Sequence, residues 1–209
     1  MTVNKILEHS DSIHVYTDAS KKINGRTGIA YRIPSMQIEY RQRLSSNASI
    51  FTAEATAILQ ALRRLKEIEM NRNVSIFTDC LEVANEIKKS AMKTSDHIIS
   101  QILEVSDSLQ LMKNIRVSII WIPGHIGITE NELANTDAIR AADEEINDIE
   151  QPPISTRNAI KLIESYTNNL WQAEWNASTK GEHYRNIEPV VTRQIKLGDR
   201  NRKREVIKS

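Results

Sequence analysis

Residues 13–20 read Ile13-His14-Val15-Tyr16-Thr17-Asp18-Ala19-Ser20, an apolar-rich alternation that halts at a carboxylate followed by small residues. Side chains of a strand alternate between its faces, so Ile13, Val15 and Thr17 share one side of a half-buried strand and His14, Tyr16 and Asp18 the other. Asp18 then stands near the strand's end. Taken alone, an aspartate there also reads as a turn opener. Later stretches of the chain decide between the two.

After a polar turn over 21–25, residues 26–33 form a second strand, with Gly28 where close backbone approach is needed. Residues 36–44 alternate as a third, completing an antiparallel meander. The period then changes. Ala55, Ile58, Leu59, Leu62, Leu65 and Ile68 recur at helical spacing over 51–70. Val74, Ile76 and Thr78 make a short strand ending at Asp79, and helices come next over 81–89 and 96–112. A buried strand over 115–122 is broken by Pro123 and Gly124, and a last helix of this unit spans 130–142. Three strands, helix, strand, helices, strand, helix describe a mixed sheet with helices on its faces.

Composition sets the bounds. The 209 residues are 40% hydrophobic and 26% charged, enough for one domain with a real core plus an appendage. No apolar run approaches the roughly 18 residues of a membrane span, and residues 1–11 lack the apolar centre of a secretory signal. The single cysteine, Cys80, has no internal disulfide partner and suits a reducing, intracellular compartment, cytoplasmic or nuclear. Net charge is +1, but unevenly placed: residues 1–150 carry 17 Lys and Arg against 21 Asp and Glu, residues 151–209 carry 11 against 6. The basic end is the better electrostatic match for a polyanion. Pro152 and Pro153 mark the boundary between a lead-in at 1–11, a domain at 12–146, and a linker with a helical extension at 147–209. In that extension Trp171 and Trp175 lie one turn apart on one face of a helix over 155–175, placed to pack against the main domain, with stacking on bases as the alternative.

Asp18 and Asp79 both end strands, and Glu54 lies in the first turn of the helix between them. Neighbouring parallel strands end at a common edge, where open sheets bind ligands. Converging carboxylates repel, so a fold keeps them together mainly around a cation. An all-oxygen set without Cys or clustered His favours a hard ion, Mg²⁺ or Mn²⁺.

Tyr16 to Ser20 with Gly25 to Ala30, Thr52 to Ile58, Phe77 to Cys80, and Trp121 to Gly127 with Asn131, Glu132 and Ala134 beyond it resemble type 1 ribonuclease H, in order and spacing, over residues 12–143. The flavour is that of the ribonuclease H domains of non-LTR retrotransposon polyproteins, and 151–209, with Trp171, Trp175 and Gly181, resembles the region C-terminal to them. The resemblance implies a five-stranded mixed sheet, three antiparallel strands then two parallel to the first. It implies endonucleolytic hydrolysis of RNA paired to DNA through two Mg²⁺ ions, with Mn²⁺ as substitute, and a reverse-transcriptase region of the same polyprotein as a partner. Asp18 would bridge both ions, Glu54 and Asp79 would complete most of the cage, and His125 would shuttle protons or assist product release.

The chain departs from the family pattern in three places. Ile50 and Phe51 precede Glu54 where polar residues are common, which moves RNA contacts to Ser46, Asn47 and Ser49, beside Ser20. No basic insertion lies between Ser90 and Ser95, shifting DNA binding toward the basic extension. Asn135 stands where the pattern has Asp. An amide keeps an oxygen ligand but loses the charge, so the alternatives are a hydrolase of reduced activity, an impaired hybrid-binding module, and a non-catalytic interaction domain. Asp137 is turned about 200° from the Asn135 direction on a helix, whereas Glu132 is only about 60° off with longer reach. Glu132 is the better rescue ligand.

Overall fold

A computed structural model describes residues 9, 11–90, 96–145 and 156–191. The chain divides into two compact units, Met1–Ala159 and Ile160–Ser209.

The first unit is built on a five-stranded sheet of order β3-β2-β1-β4-β5. Its strands are β1 (Ile13–Lys21), β2 (Thr27–Ile33), β3 (Ile38–Leu44), β4 (Val74–Thr78) and β5 (Val117–Trp121). β1 is central. It pairs antiparallel with β2, Asp18 opposite Ala30, and parallel with β4, Thr17 beside Thr78. β2 pairs antiparallel with β3, and β4 parallel with β5. This is the five-stranded mixed sheet expected, three antiparallel strands and then two parallel to the first.

The half-buried reading of β1 needs correction. From Ile13 to Ala19 every residue but His14 is buried, because both faces of the sheet are covered. Ile13 and Val15 pack with Ala55, Ile58 and Leu62 of α1 (Ile50–Glu67) and with Ile98, Ile99 and Ile102 of α3 (His97–Lys113). Tyr16 packs the other way, with Phe77, Ile122 and Ala134 of α4 (Thr129–Asp143). The alternation therefore separates two cores, each fully buried Ile or Leu contributing roughly 1.5–3 kcal/mol relative to exposure. β5, read as buried, is half-buried along its whole length, since it lies at the sheet's edge. A 3₁₀ turn at Pro34–Met36, closed by Gln37 at φ +55°, delays β3 to Ile38. α2 (Leu81–Ser90) comes after β4.

Gly28 has the role read for it. A Cβ there would lie 2.3 Å from the Ala138 carbonyl oxygen and 2.4 Å from the Ala142 nitrogen. Only glycine lets α4 lie this close to β2, and the helix answers with Ala134, Ala138, Ala141 and Ala142, all fully buried.

The prolines at 152 and 153 lie outside the described residues. α5 (Thr156–Ala177) begins in the first unit, where Asn158 Nδ2 donates to the Asn47 carbonyl at 2.8 Å. In the second unit Gly181, at φ +75°, opens a short helix, α6 (Glu182–Ile187), that periodicity did not reveal. Trp175 finds its partners locally: Nε1 donates to the Glu188 carbonyl at 3.2 Å, the ring meets Tyr184 edge-on, and Arg185 lies over its face. Trp171 remains 44% exposed. No helix among the described residues is long and apolar enough to cross a membrane.

Candidate metal centre

Asp18 and Asp79 come together for a reason of register. Thr17 and Thr78 are the last paired residues of the parallel β1–β4 ladder, so Asp18 and Asp79 follow it side by side where β4 stops; β1 itself runs on to Lys21, paired with β2, so Asp79 ends its strand and Asp18 does not. Glu54 arrives from α1, whose start is set by Ser49: its hydroxyl accepts the Thr52 backbone N–H at 3.1 Å as an N-cap. Glu54 is the fifth residue of that helix, not part of its first turn. Asp18, Glu54 and Asp79 each offer a carboxylate oxygen, and the three oxygens lie within 4.8 Å of one another.

The cluster is electrostatically tense. Asp18 is 5% exposed, and burial together with the Asp79 charge lifts its carboxyl to about 7, against a hydrogen bond from Ala19 N–H that favours the ionised form. Glu54 is equally buried and is pushed well above the usual carboxylate range, first by burial, then by Asp18 and Asp79. The Ala19 N–H serves it too, but Glu54 Oε2 is buried with no hydrogen-bond partner. Such an orphan acceptor costs free energy unless something positive meets it. Burial and the Glu54 charge likewise raise the Cys80 thiol to about 11, so it is an inert thiol at neutral pH.

The loop after β5 borders this cluster. Trp121 Nε1 donates to the Asp79 carbonyl at 3.0 Å, and a Cβ on Gly124 would stand 2.7 Å from Asp79 Oδ2. His125 comes next, its side chain 75% exposed and its backbone at φ +55°, a conformation that a non-glycine residue holds only under local constraint. Its Nδ1 faces Glu132 Oε2 at 3.3 Å. Both His125 and Glu132 act electrostatically on Asp18.

Asn135 is half-buried on α4. Asp137 belongs elsewhere: it is buried and accepts from Arg32 Nη1 at 2.5 Å. Arg32 also pairs with Glu130 at 3.3 Å and with Glu39, tying β2, β3 and α4 together. Sequence reasoning missed this hub, since nothing local marks a strand arginine 105 residues from its partner. Lys21 was missed too; its Nζ donates to the Ser46 and Ala48 carbonyls at 3.0 and 2.5 Å and holds the loop before α1. Ser46 and Asn47 are exposed and Ser20 is half-buried, while the Ser49 hydroxyl is engaged in capping.

Residues 10–143 match the RNase H family. Among solved structures, the chain is similar to a foamy viral protease-reverse transcriptase in complex with an RNA/DNA hybrid, at 22% identity and a TM-score of 0.47, over 63% of this chain and 20% of that one. It is also similar to RNase H1 from the halophilic archaeon Halobacterium salinarum NRC-1, at 20% identity and a TM-score of 0.49, over 63% of this chain and 98% of that one. The chain thus spans about a fifth of the length of the viral protein. With the sheet order, the three converging carboxylates and a family match over most of its length, the chain belongs to the RNase H family.

Proposed function

We propose that the chain is an endoribonuclease that hydrolyses the RNA strand of RNA/DNA hybrids with two divalent cations, Mg²⁺ or Mn²⁺ in its place. The observation that carries this reading is the convergence of Asp18, Glu54 and Asp79 within 4.8 Å around a buried, unpartnered Glu54 Oε2. An oxygen-only donor set with an orphan acceptor fits a hard cation. Asp18, Glu54 and Asp79 would hold the cations, with Asn135 as a neutral oxygen donor beside them. The chemistry such ions would supply when bound is activation of water and neutralisation of charge on the leaving 3′ oxygen.

The protein's own groups do the rest. Ala19 N–H orients the carboxylates of Asp18 and Glu54. His125 presents Nδ1 to Glu132, which leaves Nε2 as the nitrogen that accepts or returns a proton. Ser20, Ser46 and Asn47 would meet the 2′-hydroxyls that distinguish RNA from DNA in the shallow groove of the hybrid. The motifs favour a domain of a non-LTR retrotransposon polyprotein, working beside a reverse-transcriptase region inside the cell.

Labelled hybrid, duplex DNA and duplex RNA incubated with Mg²⁺ and with Mn²⁺ test the reading. Cleavage confined to the RNA strand of the hybrid is expected. Absence of both hybrid binding and cleavage would overturn it. Asn135 favours one second reading, a hybrid-binding module of reduced activity; Asn135→Asp then raises cleavage sharply while hybrid affinity changes little. A non-catalytic interaction domain predicts no Mg²⁺-dependent rise in melting temperature.

A further inference from the structure

We propose that Glu132 supplies the fourth carboxylate of this metal centre, taking over the charge that Asn135 lacks. The inference rests on the reading of Asp18, Glu54 and Asp79 as metal ligands. Helix α4 carries four acids: Glu130, Glu132, Asp137 and Asp143. Glu130 and Asp137 are held by Arg32, and Asp143 by Lys22. Glu132 alone among them faces the candidate centre. Its carboxylate meets His125, on the loop whose Gly124 abuts Asp79, and its charge is felt by Asp18.

Helix geometry agrees. Glu132 precedes Asn135 by three residues, so the two directions differ by about 60° and their heights by about 4.5 Å, which the extra methylene of Glu helps to span. Its side chain is 37% exposed and its contact with His125, at 3.3 Å, is a loose one, so little holds it back. The buried Glu54 Oε2 without a partner is independent evidence that a cation belongs at this edge. Glu132 is therefore the acid on this face free to swing between His125 and a second ion.

The test is calorimetric titration of the full chain with Mn²⁺, without substrate, on the parent and on Glu132→Gln, Glu132→Gln with Asn135→Asp, Asp143→Asn and Asp18→Asn. Melting of each metal-free variant checks that it is folded. Loss of a carboxylate ligand should weaken the weaker Mn²⁺ site about tenfold or more in E132Q, and N135D on that background should restore it. Asp143→Asn should stay within about twofold of the parent, since that acid of the same helix is tied to Lys22 and is not one of the proposed ligands. An E132Q affinity within about twofold of the parent, or an Asp143→Asn loss equal to that of E132Q, overturns the assignment. Asp18→Asn separates the layers. If it abolishes Mn²⁺ binding while E132Q does not weaken it, only the Glu132 role fails; if neither variant changes binding, the metal reading beneath it fails.

Discussion

Asp18 is a residue whose chemistry its surroundings change strongly. Buried, beside Asp79 and Glu54, it carries a desolvation cost that only a cation or a proton relieves. Asp18→Asn should therefore leave a folded protein that no longer gains melting temperature from Mn²⁺, with cleavage reduced at or beyond the roughly 100-fold that losing even an outer-sphere partner causes. Gly124 offers a subtler test. Its φ is ordinary, so Gly124→Ala adds no backbone strain, but the new methyl would sit 2.7 Å from Asp79 Oδ2 and turn that carboxylate aside. Unchanged metal-free melting with Mn²⁺ affinity lowered roughly tenfold is expected by titration. Equal affinity in the two proteins would show that Asp79 rotates without consequence.

At the scale of elements, α4 is positioned by two devices. One is the glycine-alanine contact with β2. Gly28→Ala forces a methyl into the backbone of α4 and should destabilise the fold by about 1–3 kcal/mol in urea melts. The other is Arg32. Arg32→Ala leaves the buried Asp137 carboxylate only the more distant Arg140, at 3.7 Å, costing about 3 kcal/mol, at the lower end for breaking a buried pair because Arg140 remains and Arg32 is itself 14% exposed. Asp137→Asn with Arg32→Ala should recover part of that loss, which urea denaturation reads directly. The helix period already said that Asp137 points away from Asn135; that Arg32 receives it depends on a contact between β2 and α4 that no local pattern encodes. Likewise Ser49, offered from sequence as an RNA contact, turns out to cap α1, a role set by where the helix begins.

For the whole molecule, the acidic cluster links stability to pH and metal. The Asp18 carboxyl sits near 7 in the folded chain against about 3.9 unfolded, so the native state holds the extra proton between those values. Without metal, this contribution is most favourable at the acid end and is lost as pH rises toward about 7, and Glu54 acts in the same direction. In EDTA, melting temperature should fall from about pH 5 to about pH 8, less steeply in Asp18→Asn. On the proposed metal reading Mn²⁺ takes the ionised cluster, so its stabilisation should grow over the same interval. A metal effect independent of pH would contradict the linkage.

By itself the sequence determined the order of strands and helices, the identity of the family through four spaced motifs, and the three acids of the candidate centre. These are legible because period and motif are local properties, and because a parallel ladder brings the residues that follow it on its two strands side by side. Only the tertiary structure decided that β1 separates two cores, that α4 lies against Gly28, that Arg32 claims Asp137, and that Glu132 faces His125. Those facts arise where elements far apart in the chain meet, and there packing and charge pairing, not periodicity, choose each side chain's partner.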